Sequence, residues 1–344
     1  MKVSLPEDLD KYLYRDYRKP YKSILLVLSA SVSDFRLGLI AKHLIAAGYS
    51  IEVVTAVPMY LNIHHDLIIC IRPNQDLCRF LLDSLDANRP VIIDIDDDFA
   101  SIPEENPSYS HIGPGNKEYL DILLKTVAAC TRLVVATDEL VNRYGRDDAV
   151  VIKNYVDEDN ELWGMTRKPH PLTIGWGGTI THREDFNLCQ PAIMRILQER
   201  PDVRIVIGVD QHIFNRFKDI PESQKLFIPA LQFDIYPALY SYMDIVLAPL
   251  IDNHFNRSKS DVKLLDSGMA SLPFVASPLP QYIDWGGGGL YAETEEDWYR
   301  MIMALIIDRE LATRLGIEGR NLALKRTSAV IFPQWLKVIE ELLA

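Results

Sequence analysis

"DIVLAPLIDNHFNRSKSDVKLLDSGMASLPFVAS", residues 244 to 277, opens in an apolar run, crosses a polar loop, takes up helical spacing and closes in a second apolar run. Two short strands joined by a helix make a βαβ unit, the repeating element of a parallel sheet. A helix opening near Ser260 carries Lys259, Lys263 and Asp266 on one face, at spacings of four and three, with both lysines towards its amino end. Helix amino termini offer unpaired N–H groups and partial positive charge, so two added ammonium groups make a site for a diphosphate. Asp266 falls about 10 Å further along the axis at roughly 1.5 Å per residue. A carboxylate, which only accepts hydrogen bonds, suits the paired hydroxyls of a ribose there.

The same alternation extends in both directions. "SILLVLS", "IEVVT", "DLIICI", "PVIIDID", "RLVVAT" and "AVVIKN" are predicted strands of a first domain, 1–156, and "DFRLGLIAKHLIAAG" is an amphipathic crossover between the first two. "DEDNELWGMTRKPHP", 157–171, is polar, aperiodic and ends among prolines, which suits a linker. "LTIGWGG", "VRIVIG", "KLFIPA", "DIVLAPL", "PFVAS" and "GLYAE" are the strands of a second domain, 172–327, and residues 328–344 form a last amphipathic helix. The expected fold class is α/β, two doubly wound Rossmann-like domains facing across a cleft, with ligands outside the carboxyl ends of the strands. In "GWGGTITHRED", residues 175 to 185, Gly177, Gly178 and Thr179 leave a strand and His182 and Arg183 start a helix, so backbone and guanidinium can both approach phosphate.

The second half resembles the donor-binding domain of GT-B glycosyltransferases, particularly the retaining family 4 type. The stretch 244–277 is similar to their strand, loop, carboxylate-bearing helix and strand. "GGLYAETEEDWYRMIMALIIDRELATRLGIEGR" resembles their closing helices, and "VIKNYVD" the segment that ends their first domain. The resemblance covers roughly residues 130 to 340 and implies a nucleotide-sugar donor, with a UDP-sugar expected. It implies that Asp266 stands where a glutamate one methylene longer holds the ribose. Lys259, Ser260, Lys263 and Arg183 would then meet the diphosphate, and the last helix would return to the first domain. Where the family often has a second glutamate, this chain has Ser258, leaving Asp252 and Asn256 as nearby sugar contacts. Ser33 and Arg36, after the first strand, are further phosphate or sugar contacts; helix capping by Asp34 or Ser33 explains the same loop without a ligand.

"VIIDIDDDF", residues 91 to 99, sets Asp94, Asp96, Asp97 and Asp98 at the carboxyl end of the fourth strand, on the cleft wall. Neighbouring carboxylates repel one another and raise some pKa values. The expected role is an acceptor platform that holds sugar hydroxyls, with one aspartate as base. An N-capped loop held by its own amides is the plain alternative, and Mg or Mn at the cluster a lesser one.

At 344 residues, 48% hydrophobic and 24% charged, the composition is that of a globular protein of about two domains. Cys70, Cys78, Cys130 and Cys189 lack the spacing of a zinc site, and reduced thiols are expected. "MKVSLPEDLDKY" has no apolar leader, and no run is long enough to span a bilayer; a cytoplasmic location is the default. A net charge of −12 opposes a broad nucleic-acid surface. The exception is "KYLYRDYRKPYK", residues 11 to 22, where five basic residues alternate with tyrosines. His64 and His65 read as loop surface, and His111 sits in a turn-rich stretch suited to an acceptor lid.

The expected activity is metal-independent sugar transfer, with no cofactor, from a nucleotide-diphosphate donor to a hydroxyl-bearing acceptor: glycan, lipid, protein or modified nucleobase. Retention follows from the resemblance alone. Glycosylation of a hydroxymethylated base in DNA and a catalytically silent sugar-nucleotide-binding module are the alternatives.

Overall fold

The computed structural model describes residues 22–28, 36–56, 65–165 and 171–344. Ser33, His64 and the basic stretch 11–21 lie outside them. Among the described residues, twelve strands fall in two sheets. The N-lobe holds β1 (Ser23–Val27), β2 (Ser50–Val54), β3 (Leu67–Ile71), β4 (Val91–Ile95), β5 (Arg132–Val135) and β6 (Val150–Val151). The C-lobe holds β7 (Leu172–Gly178), β8 (Val203–Val209), β9 (Lys225–Ile228), β10 (Ile245–Ala248), β11 (Phe274–Ala276) and β12 (Gly289–Tyr291). Each apolar run expected to be a strand is one. Strands buried on both faces read as unbroken Val/Ile/Leu rather than as alternation, and β3 and β4 are buried at every position.

All pairings are parallel, in the orders β2-β1-β3-β4-β5-β6 and β12-β11-β10-β7-β8-β9. The chain reverses its direction of travel between β1 and β3 in the first sheet and between β7 and β10 in the second. Such switch points splay the following loops apart and leave a crevice at the carboxyl edge. The loops after β7 and β10 therefore frame the natural ligand position of the C-lobe.

The helix Ser328–Leu343 returns to the N-lobe. Ile331, Trp335, Val338, Ile339 and Leu343 join one core with Ile24, Leu26, Ile69 and Ile92. Residues 157–165 are more than a polar tether. Glu158 accepts hydrogen bonds from the Ser328 and Ala329 amides, satisfying the exposed N–H groups of that helix, and Trp163 is buried against the C-lobe core. The four cysteines are free and buried.

Candidate functional site

At the C-lobe switch point, β7 ends in Gly177 and Gly178. A Cβ on Gly177 would stand 2.9 Å from Leu239 Cδ2, and one on Gly178 2.4 Å from the Trp176 ring, so packing against these side chains calls for glycine. The chain then makes a turn, Ile180–His182, into a one-turn helix, Arg183–Phe186. After β10 comes a short helix, His254–Ser258, and then the helix Val262–Met269. That helix starts two residues later than the spacing suggested. Lys259 consequently sits in extended backbone between the two helices, whereas Lys263 and Asp266 are inside the second.

Lys263 donates from Nζ to the Gly177 carbonyl at 2.5 Å, tying the two switch-point loops together. Burial, reinforced by Lys259, pushes its ammonium down to about 8 against the pull of Asp266 and Asp185. Asp266 is 2% exposed. Tyr240 and Tyr236 donate to its Oδ2 at 3.1 and 3.3 Å, while Oδ1 is buried and meets no donor among the described residues. Burial raises its carboxyl to about 7, opposed by Tyr240, Lys263 and Tyr236. His182 Nδ1 lies 2.9 Å from Asp185 Oδ2, and Asp185 Oδ1 accepts from the Ile251 amide and from Asn256 Nδ2. Burial, with Lys263 and Lys259 nearby, lowers the imidazole to about 4, so it is neutral at physiological pH.

The aspartate cluster differs most from expectation. Asp94 and Arg36 are 0% and 1% exposed, and Arg36 grips both Asp94 oxygens at 2.6 and 2.8 Å. Burial pushes the Asp94 carboxyl up against the pull of Arg36. Arg72, at φ 44°, reaches both oxygens of Asp96 and lies 3.1 Å from Asp97 Oδ2. Asp97 Oδ1 meets Lys259 Nζ at 3.0 Å; despite burial, Lys259 and Arg72 hold this carboxyl below its usual value. Asp98 caps the turn Phe99–Ser101 through the Ala100 amide, with Arg143 at 3.6 Å. Mutual repulsion is thus answered by four cations. Asp94 presents no surface to an acceptor, and the cluster is a buttress of ion pairs instead of an open hydroxyl platform. The oxygens that a metal would need are largely engaged by these cations.

Other expected contacts are also committed elsewhere. Arg183 binds both oxygens of Asp210, at 2.7 and 3.1 Å. Asp252 pairs with Arg257 on the surface, and Asn256 is buried against Asp185. Arg36 serves Asp94, and its Nη1 donates to Asn154 Oδ1 at 2.8 Å. Asn154 Nδ2 in turn donates to Ser260 Oγ at 2.6 Å. Asp94, Arg36, Asn154 and Ser260 form a continuous polar chain between the lobes, alongside the Asp97–Lys259 pair. The Thr179 and Thr181 hydroxyls bond each other at 2.8 Å. His65 pairs with Glu52, and His111 is exposed on the one-turn helix Tyr109–Ile112.

Sequence reasoning did not single out Arg72, Asn154, Asp185, Tyr236 or Tyr240. Asn154 and Asp185 lie within quoted motifs but have no distinguishing spacing, and the tyrosines stand about thirty residues before their partner.

Two six-stranded parallel sheets, a switch-point crevice at the carboxyl edge and a final helix crossing back define the architecture. The fold is GT-B. The GT-B chain is similar to the UDP-GlcNAc 2-epimerase of Neisseria meningitidis bound to UDP-GlcNAc, with a TM-score of 0.59 at 13% identity over 92% of this chain and 100% of that one. It is also similar to the pneumococcal O-GlcNAc transferase GtfA in complex with UDP and GlcNAc, TM-score 0.59 at 13% identity over 80% of this chain and 57% of that one. A UDP-forming α,α-trehalose-phosphate synthase from Burkholderia xenovorans matches with TM-score 0.55 at 12% identity, over 81% of this chain and 74% of that one. No family model and no curated protein matches the sequence. No helix among the described residues is long and apolar enough to cross a membrane.

Proposed function

We propose that the protein transfers a sugar from a nucleotide-diphosphate donor, a UDP-sugar, to a hydroxyl acceptor. One observation carries this reading: Lys263 and Lys259 flank the C-lobe switch point, and one turn beyond Lys263 the buried Asp266 keeps an oxygen that meets no donor among the described residues. Two ammonium groups suit a diphosphate, and a lone carboxylate oxygen suits a ribose hydroxyl. In the transfer, the bond from the anomeric carbon to the β-phosphate oxygen breaks and one to the acceptor oxygen forms. The acceptor proton passes to the leaving diphosphate, so no aspartate need serve as base. Lys259 and Lys263 stabilise the charge that grows on that leaving group. Retention at the anomeric carbon belongs to this proposal, since a phosphate on the leaving-group face can guide an acceptor to the same face.

The end-to-end correspondence with the epimerase, 92% and 100% of the two chains, favours a second reading in which the nucleotide sugar is itself the product. One experiment separates the readings. Nucleotide sugars are screened by thermal shift, and the best ligand is incubated with and without a panel of hydroxyl acceptors. Acceptor-dependent release of nucleotide diphosphate, lost in Lys263→Ala, supports transfer. Acceptor-independent conversion to a stereoisomeric nucleotide sugar supports epimerisation. Binding with neither product marks a silent module, and absence of any thermal shift defeats all three.

A further inference from the structure

A cavity of about 570 Å³ opens between the lobes beside the cationic site. Pro103, Glu105 and Pro107 approach it from the N-lobe, and Ile180, Glu184 and Ile251 from the C-lobe. Lys259 and Lys263 do not line it. Among the described residues that line it the one cation is Arg183, which already has both Asp210 oxygens within hydrogen-bond distance. Asp185 and Asn256, bonded to each other, form part of its wall. Beyond Asp185 stands His182, whose imidazole is depressed by burial and further by Lys263 and Lys259. The Asp185 hydrogen bonds thus separate a cationic compartment from one whose exposed ionic groups, Glu105 and Glu184, are acidic.

We propose that this acid-rimmed cavity is the acceptor site and that it takes an uncharged pyranoside, an inference that rests on the transferase reading above. The two prolines, Ile180, which is 43% exposed, and Ile251 offer apolar surface to the C–H face of a sugar ring. Glu105 and Glu184 accept hydrogen bonds from ring hydroxyls and repel phosphate and carboxylate. A polyanion such as DNA meets the wrong sign of charge here, whereas the donor diphosphate finds its cations on the other side of the partition.

The test uses the full chain with the nucleotide sugar that raises its melting temperature most. Acceptors are p-nitrophenyl hexosides and the matching uronides, which differ by one carboxylate; released nucleotide diphosphate is the readout. At least one hexoside is expected to accelerate release, with kcat/KM about tenfold above that of its uronide. Glu105→Lys combined with Glu184→Lys should bring that ratio to about one. Ile180→Asp should raise the hexoside KM while leaving donor affinity unchanged. The proposal is overturned if the donor binds but every hexoside is inert, if a uronide or a DNA duplex is the better acceptor, or if the charge reversals leave the ratio untouched. If no nucleotide sugar shifts the melting temperature, the transferase reading and this inference fall together.

Discussion

Lys259 of the C-lobe places its Nζ 3.0 Å from Asp97 Oδ1 on the N-lobe, with the Phe255 ring centroid 4.1 Å from the same ammonium. The two ionic side chains are 15% and 18% exposed, so water screens the pair only partly. A phosphate approaching Lys259 shares its ammonium with Asp97 and is repelled by that carboxylate, which makes Asp97 a competitor of the donor. Asp97→Asn is therefore expected to tighten UDP binding roughly threefold to tenfold, and Lys259→Ala to weaken it about tenfold. Isothermal titration calorimetry at fixed salt measures both. Equal affinity in wild type and Asp97→Asn would show that the two anions do not compete.

Arg36 and Asp94 form a buried, doubly hydrogen-bonded pair. Removing one member strands the other charge in the core, so Arg36→Met alone should cost about 3–5 kcal/mol of unfolding free energy. Arg36→Met with Asp94→Leu removes both charges and should recover much of that loss, although Asn154 loses a donor in either case. Urea denaturation of the two variants and wild type forms the test. A double variant as unstable as the single one would mean that Arg36 acts chiefly through Asn154 and the link to Ser260.

The strands were legible because a parallel sheet buries both faces, and continuous apolar runs such as "DLIICI" have few other destinations. The return of the last helix was implied by the resemblance to GT-B glycosyltransferases; its apolar stripe said only that one face is buried. The partners of the charged residues were not legible. Arg36 and Asp94 are 58 residues apart, Lys263 and Gly177 are 86 apart, and Lys259 and Asp97 are 162 apart. Periodicity reports which face of an element is buried and says nothing about which distant cation comes to rest on a given carboxylate. Four aspartates within five positions therefore read as an open acidic platform, although three arginines and a lysine from other segments had already claimed them. The helix register near Ser260 was off for a related reason: Asn253, not Ser260, supplies a side-chain cap, to the short helix that precedes the main one.

Burial raises the Asp266 carboxyl to about 7 in the fold from an ordinary aspartate value of 3.8, so between these values the native state holds a proton that the unfolded state has lost. Stability attributable to this group accordingly falls as pH rises from about 4 to 7. Lys263, lowered to about 8 from 10.5, acts in the opposite sense, and its contribution recovers as pH rises from about 8 to 10. Asp266→Asn cannot ionise and should lose the first slope, so its melting temperature relative to wild type should climb by roughly 2–4 °C per kcal/mol between pH 5 and 7.5. The same variant should bind UDP more weakly at pH 7.5, where the carboxylate is the better hydroxyl acceptor. Parallel melting curves for wild type and variant across this range would place the titration elsewhere.

Arg183 gives the sharpest contrast between a motif and its setting. Its position after a Gly-Gly strand end suits phosphate, yet its guanidinium is bound by both oxygens of Asp210 at 2.7 and 3.1 Å. Asp210 also accepts from the His212 and Ile213 amides, so the carboxylate starts the helix Gln211–Asn215 while holding Arg183. The carboxylate is pulled below its usual value by Arg183 and those amides, against the effect of burial. This stabilisation is complete at neutral pH and is lost as pH falls through the depressed native value. Arg183→Ala should therefore lower stability by about 1–2 kcal/mol, because the pair is partly exposed, and should change UDP affinity less than twofold. Lys263→Ala should do the reverse, weakening UDP binding about tenfold or more at a modest cost in stability. Calorimetric titration and thermal melts of both variants decide the matter: a large loss of UDP affinity in Arg183→Ala would mean that its guanidinium leaves Asp210 for the diphosphate when nucleotide binds.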